Sequence, residues 1–152
     1  MTPPKPQVHV AIASRLENIE LVQVAIESSL DLLDLEETTS HRIGLAVREA
    51  VANAIKHGNR EEPDKTVEVD CVFESNQVVV RIEDEGQGFD PEKLPDPLKP
   101  ENLLKPNGRG VFVMNQFMDE IHYTFRPGGG TIVTMKKLIA SASSEAAPRE
   151  EE

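Results

Sequence analysis

Val47-Arg-Glu-Ala-Val-Ala-Asn-Ala-Ile-Lys-His-Gly58 is the stretch that decides the fold, because it predicts an amphipathic helix with a polar stripe on one side. At 100° per residue, Glu49, Asn53 and His57 share that stripe, at roughly 120° from the centre of the apolar stripe. The alanines between them are small, so a ligand could approach the helix closely. The apolar stripe predicts the core-facing side: Ile43, Val47, Ala50, Val51 and Ala54.

A carboxylate and an amide one helical turn apart suit a magnesium nucleotide, because Mg²⁺ prefers oxygen and usually takes only one or two ligands from protein. Asn53 would supply such an oxygen to Mg²⁺, and Glu49 would orient or deprotonate an attacking hydroxyl. The plain alternative is a solvated helix face, since this spacing is common. His57 has its own alternative, because a histidine near a helix C-terminus complements the helix dipole.

The patterns around this helix predict the first two thirds of the domain. Ser14-Arg-Leu-Glu17 has the form of a capping box at the start of a first helix, and Gly58 is a natural stop for the second. Alternating apolar residues on both sides of Ser75-Asn76 predict an antiparallel hairpin. The expected elements are a strand over 8–12, helices over about 15–33 and 40–57, and hairpin strands ending at Asp84.

Asp84-Glu-Gly-Gln-Gly88 follows the hydrophobic strand directly. A carboxylate at the mouth of a strand can accept a hydrogen bond from an adenine amino group, and Gly86 and Gly88 let the backbone approach a flat ligand. An ordinary strand-ending turn, in which Asp and Gly are common, is the alternative. The segment is not a Rossmann fingerprint, because no helix follows its glycines.

Residues 87–107 hold five prolines, which predicts a long lid-like loop. Gly108-Arg-Gly-Val111 then opens an apolar helix predicted to reach about Glu120. Free amides at a helix N-terminus favour an anion, and Arg109 could add a bidentate phosphate contact. An ordinary loop-to-helix junction with Arg109 in solvent is the alternative. No Walker motif is present.

Strands over 121–125 and 131–138 complete the order β-α-α-β-β-lid-α-β-β. This order predicts an α+β fold, a two-layer sandwich in which helices cover one face of a mixed, mostly antiparallel sheet. We expect a flexible N-terminus over 1–7, one domain over 8–138 and a disordered acidic tail over 139–152.

Composition narrows the class of protein. At 152 residues the chain fits one domain, and a net charge of −11 argues against binding nucleic acid. Cys71 is the only cysteine, so no intrachain disulfide is possible. Neither a signal core nor a membrane-spanning apolar stretch is present in the sequence. We therefore expect a cytoplasmic protein without a membrane partner.

The three segments together resemble the Bergerat-type ATP-binding fold of gyrase, heat-shock chaperones and histidine kinases. More closely, Arg48–Gly58 resembles the N-box of the small bacterial anti-sigma-factor serine/threonine kinases, a match over about residues 8–138. The resemblance implies Glu49 as general base, Asn53 as the ligand of Mg²⁺ and phosphates, and Asp84 as the adenine acceptor. It also implies a homodimer, and it adds pocket residues: Gly86, Gly88, Gly108, Gly110 and Thr131.

The function predicted from this resemblance is an anti-sigma factor that phosphorylates an antagonist protein with ATP and sequesters a sigma factor. A nucleotide-gated regulatory binding module without phosphotransfer is the alternative, and Glu49 argues against it. The catalytic part of a histidine kinase fits less well, because His9 lies in a predicted strand and His41 begins the N-box helix. Neither histidine lies in a helical hairpin that could present a phosphoacceptor.

Overall fold

A computed structural model describes residues 7–74, 76–86 and 106–139, with the backbone alone described over 106–111. The strands are β1 Gln7–Ala13, β2 Thr66–Glu74, β3 Gln77–Glu83, β4 Glu120–Phe125 and β5 Thr131–Leu138. The α-helices are α1 Ile19–Leu32, α2 Glu37–Asn53 and α3 Pro106–Phe117. A 3₁₀ turn, Leu16–Asn18, leads into α1, and a π-helical turn, Ala54–Gly58, continues α2.

The five strands form one sheet in the order β1-β2-β3-β5-β4. Every neighbouring pair is antiparallel, so the expectation of a mixed sheet was wrong in that detail. The α+β class and the element order are confirmed. The predicted lid falls on residues outside the described ranges up to Lys105, as do residues 1–6 of the predicted N-terminus and almost all of the acidic tail, whereas Gln7 begins β1.

The core lies between one face of the sheet and the three helices. Alternate residues of β2 and β3 are buried, among them Val67, Val69, Val80 and Ile82, because side chains one position apart point to opposite faces. Helix α2 packs between α1 and α3 and contributes Val47 and other fully buried side chains. This two-layer arrangement fixes α2 against the sheet, with its end near the ends of β3 and β5.

The capping-box prediction was wrong. The α-helix begins at Ile19, its N-cap residue is Asn18, and no side chain caps it. The Ser14 hydroxyl is buried without a hydrogen-bond partner among the described residues, while the Ser14 N–H donates to the Lys65 carbonyl at 2.9 Å. A tertiary contact to the segment before β2 therefore holds Ser14.

Helix boundaries differ from the predicted ones at three other places. Helix α2 begins at Glu37, three residues before the predicted start, and ends at Asn53, after which the π-helical turn covers the rest of the predicted helix. Helix α3 spans Pro106–Phe117, two residues earlier at its start and three at its end than predicted. Proline at the first helical position lacks the N–H that would be unpaired there, which explains the earlier start.

Candidate functional site

Asp84 is the centre of the candidate site. It follows β3, is 2% exposed, and its Oδ1 accepts hydrogen bonds from the N–H groups of Gly86 at 2.9 Å and Thr131 at 3.1 Å. The Asp84 N–H donates to the Thr131 carbonyl at 3.0 Å. These bonds tie the carboxylate to both β3 and β5 and fix its direction.

Burial makes the Asp84 carboxylate costly to ionise. Desolvation raises the pKa of Asp84 above its ordinary value, although the N–H groups of Gly86 and Thr131 and the charges of Arg126 and Lys65 act the other way. A ligand that donates a hydrogen bond to this carboxylate would favour its ionised form. The site therefore has an acceptor that gains from a donor such as an exocyclic amino group.

The end of α2 touches the loop after Asp84 through glycines. A Cβ on Gly58 would collide with the Asp84 carboxylate, and a Cβ on Gly86 would collide with the Gly58 backbone carbonyl. The π-helical turn thus brings the backbone of α2 against the Asp84 loop. Both glycines are required by close approach within the chain, whereas the role predicted for Gly86 was close approach to a flat ligand.

We expect Gly86→Ala to lower the free energy of unfolding by about 1–3 kcal/mol, because the new Cβ meets backbone that cannot move aside cheaply. Gly44→Ala is the matched control, since the three atoms nearest to a Cβ there all belong to the Glu27 side chain, which can shift, and a helix interior favours Ala by about 1 kcal/mol. Urea unfolding of both variants measures the difference. Equal stability of the two would contradict the close contact.

A small cavity joins Asp84 to α2, α3 and the last two strands. Its lining residues are Ala50, Asn53, Ala54, Asp84, Met114, Tyr123 and Val133, and its water-accessible volume is about 10 Å³. That is room for roughly one water molecule. A purine is larger than this volume, and Met114 is suited to make room for it because an unbranched thioether side chain adapts its shape.

Asn53 and Asp84 therefore meet in one place, as predicted. The Asn53 Nδ2 lies 3.9 Å from the Met114 Sδ, so the amide oxygen is the atom that can serve a cation. Glu49 is half-buried one helical turn before Asn53 and lies outside the cavity lining. His57 is exposed in the π-helical turn, which agrees with its dipole interpretation.

Thr131 supports the adenine assignment by its burial. Its side chain is fully buried, and its Oγ1 has no hydrogen-bond partner among the described residues. A buried hydroxyl without a partner is costly, and because the Thr131 backbone binds Asp84, a base bound at Asp84 is a candidate partner for it. Thr131 thus lies next to the acceptor but outside the cavity lining, where Asp84 is the group that fits an adenine amino group.

Magnesium fits the site only as part of a nucleotide complex. No group of three or more His, Cys, Asp or Glu side chains could hold a metal ion in the part of the chain that the structure describes. A nucleotide-bound Mg²⁺ does not need such a group, because the phosphates and water supply most of its ligands. Asn53 is the residue that would contribute an oxygen.

The remaining predicted ligands lie on α3 or beyond the described ranges. Gly108 and Arg109 fall among the first four helical residues, where amides lack helical partners, whereas Gly110 and Val111 lie just after them. The side chains of Arg109 and Val111 lie outside what the structure describes, and Gly88 does so entirely. Their phosphate-binding roles stay predictions.

Sequence reasoning missed three residues of the cavity: Met114, Tyr123 and Val133. Each belongs to an apolar pattern that predicted only core packing. Alternation did place Tyr123 and Val133 on strands, but only the pairing of β4 with β5, where they are opposite each other, brings both to the cavity. Asn59, a buried residue directly after the π-helical turn, was also missed.

Comparison with known proteins places this geometry in a family. Residues 12–137 match the family model described as histidine kinase-like ATPase domain. The anti-sigma F factor of Oceanobacillus iheyensis is 33% identical over 144 residues, covering 92% of this chain and 97% of that protein. The anti-sigma F factor of Clostridium novyi is 33% identical over 134 residues, covering 84% and 91% respectively.

A solved structure shows the same fold at lower identity. The structure of the RsbU and RsbW domains of Rv1364c from Mycobacterium tuberculosis matches 89% of this chain with a TM-score of 0.62 and 16% identity. The match spans 32% of that longer chain. Separately, no helix among residues 7–74, 76–86 and 106–139 is both long and apolar enough to cross a membrane.

Proposed function

The chain belongs to the histidine kinase-like ATPase domain family and is related to anti-sigma F factors, and from this premise we propose that it is an anti-sigma factor with serine/threonine kinase activity. It binds a sigma factor and uses ATP to phosphorylate a serine or threonine of an antagonist protein. The single observation that carries the proposal is the buried Asp84 carboxylate, held by Gly86 and Thr131 in a cavity shared with Asn53.

The described residues divide the work of binding ATP. Asp84 accepts a hydrogen bond from the adenine amino group. The Thr131 hydroxyl faces the base next to Asp84. Asn53 would hold Mg²⁺ and the phosphates, and the free amides at the start of α3 would donate hydrogen bonds to the phosphates. Gly58 and Gly86 keep the end of α2 close to Asp84 and the loop that follows it.

Glu49 is the general base in the proposed reaction. Bound ATP brings the γ-phosphoryl group and a leaving ADP. Glu49, one helical turn from Asn53, orients the acceptor hydroxyl and takes its proton as the oxygen bonds to phosphorus and the bond to ADP breaks. Catalysis then depends mainly on positioning and on Mg²⁺, so one carboxylate is enough.

Nucleotide binding should change the fluorescence of Tyr123, because it is the only tyrosine of a chain without tryptophan and it lines the cavity. Burial already raises the pKa of its phenol, so its surroundings are partly desolvated. We expect saturable quenching or enhancement of tyrosine emission on adding Mg-ATP, corrected for nucleotide absorbance. Tyr123→Phe is the control for background emission. An unchanged signal while calorimetry shows ATP binding would place the base elsewhere.

The sigma factor is the proposed binding partner because the related proteins are named anti-sigma F factors. Immobilised protein should retain a sigma factor from a lysate of its own organism, to different extents with ATP and with ADP. Failure to retain any sigma factor with either nucleotide would reject this half of the proposal. We further propose that the protein acts in the cytoplasm and is a homodimer. Light scattering measures the mass of the dimer directly.

A second candidate is a binding module that holds its partner under nucleotide control without transferring phosphate. The small volume of the cavity favours this module, because ATP entry then requires a conformational change. Such a change can control partner binding without catalysis. The two differ in one product. A kinase leaves a phosphorylated antagonist, whereas a module leaves only a complex.

A further inference from the structure

Asn59 connects three segments that surround the candidate site. It is fully buried directly after the π-helical turn, and its N–H donates to the Ala54 carbonyl at 2.7 Å. Its Oδ1 accepts from the Glu85 N–H at 2.8 Å, and its Nδ2 donates to the Thr66 carbonyl at 3.2 Å. One side chain thus links the end of α2, the start of β2 and the loop after β3.

The Glu85 bond acts on Asp84 directly. The Glu85 N–H belongs to the peptide group that follows Asp84, so fixing it fixes the plane of the backbone beside the adenine acceptor. The Asp84 N–H and its Oδ1 already bind Thr131 on the other side. Asn59 holds the other side of the loop, which β5 does not reach.

The neighbouring contacts depend on the same alignment. A Cβ on Gly86 would collide with the Gly58 backbone, and a Cβ on Gly58 would collide with the Asp84 carboxylate. The Glu85 side chain also binds the start of β2, since its Oε1 accepts a hydrogen bond from the Thr66 N–H at 3.2 Å. Asn59 binds the carbonyl of the same residue. The loop is therefore held against α2 and β2 by two side chains and one glycine contact, and of the two side chains Asn59 is buried whereas Glu85 is exposed.

We propose that Asn59 is a positioning residue that sets the Asp84 carboxylate for adenine and thereby determines the preference of the site for ATP over GTP. The inference rests on the proposed function, in which Asp84 accepts a hydrogen bond from the adenine amino group. Guanine carries a carbonyl oxygen at the same ring position, so a correctly placed carboxylate attracts one base and repels the other. Triphosphate and Mg²⁺ contacts do not discriminate between the two nucleotides.

Asn59→Ala tests the proposal through base selectivity, a quantity that a merely structural role would not change. We expect ATP affinity to fall about tenfold, because a buried N–H loses its acceptor and the carboxylate loses its position. Affinity for GTP should stay the same or rise, because a displaced carboxylate no longer repels the guanine carbonyl oxygen. Calorimetric titration of the folded chain with each Mg-nucleotide gives the ratio of dissociation constants.

Two further variants separate positioning from stability. Asn59→Asp retains an oxygen for the Glu85 N–H and should retain the preference for ATP, even if loss of the Thr66 bond lowers the melting temperature. Ile26→Val, in a fully buried position of α1, lowers stability away from the loop and should leave the ratio unchanged. If Asn59→Ala does not fold, Asn59→Ser replaces it, since one hydroxyl is too short to span both partners.

The proposal is overturned if Asn59→Ala or Asn59→Ser keeps the wild-type ratio of ATP to GTP affinity, or if Asn59→Asp loses the preference as fully as they do. Failure of the proposed function looks different, because the wild-type protein itself would then show no binding of ATP or no preference for it. Only a preference that is present in the wild type and lost without the Asn59 acceptor supports the inference.

Discussion

Asp84→Asn should reduce affinity for ATP about 100-fold, because an amide nitrogen can face the adenine amino group only as a second donor and the charge-assisted hydrogen bond is lost. Asparagine has nearly the same shape, and its oxygen can still accept from the N–H groups of Gly86 and Thr131. The loss should therefore appear in binding and not in folding. Calorimetric titration with Mg-ATP measures it.

Stability provides the control for this variant and has a defined pH dependence. Because burial raises the pKa of Asp84 above 3.8 in the folded chain, the carboxyl contributes stability below its unfolded pKa that is lost as pH rises through the folded pKa. Asparagine does not titrate. The unfolding free energy of Asp84→Asn relative to wild type should therefore be lowest in acid and rise through this window. A variant that is less stable at neutral pH than in acid, relative to wild type, would contradict the account.

Glu49→Gln should bind ATP as the wild type does and transfer phosphate about 10²–10⁴-fold more slowly, which is the usual contribution of a positioned general base. The amide keeps the shape of the side chain and removes its ability to accept a proton. Glu49 is half-buried and outside the cavity lining, so nucleotide binding should not depend on its charge. Single-turnover transfer at saturating ATP measures the step.

Glu37→Gln is the matched control, since it makes the same change at the exposed first residue of α2. Its transfer rate should equal that of the wild type. If Glu49→Gln transfers phosphate at an unchanged rate, Glu49 is not the general base. The kinase assignment then has no residue in that role. If it loses ATP binding instead, Glu49 belongs to the nucleotide site.

The fold was largely predictable because its strands and helices have clear local periodicity. Alternation predicted both hairpins, and the bounds 131–138 agree with β5 Thr131–Leu138. Predictions failed where tertiary contacts override a local pattern. Ser14 has the spacing of a capping box, yet its backbone binds Lys65, fifty-one positions away along the chain, and no local pattern contains that contact.

The candidate site was predictable to the extent that its residues share motifs. Asp84, Gly86 and Asn53 stand in recognisable segments, and the structure brings them together. Tyr123 and Met114 have no such mark, because an apolar position in a strand or helix predicts the core equally well. Asn59 follows Gly58 as an ordinary helix-ending residue would, and only the folded chain shows that its side chain reaches Glu85.

Transfer of phosphate from ATP labelled at its γ-position to the sigma-antagonist protein of the same organism tests the central claim most directly. The account predicts a labelled serine or threonine on the antagonist with the wild-type chain, and strongly reduced label with Asp84→Asn at limiting ATP. An antagonist that forms a complex with the ATP-bound wild-type chain and remains unlabelled would contradict it.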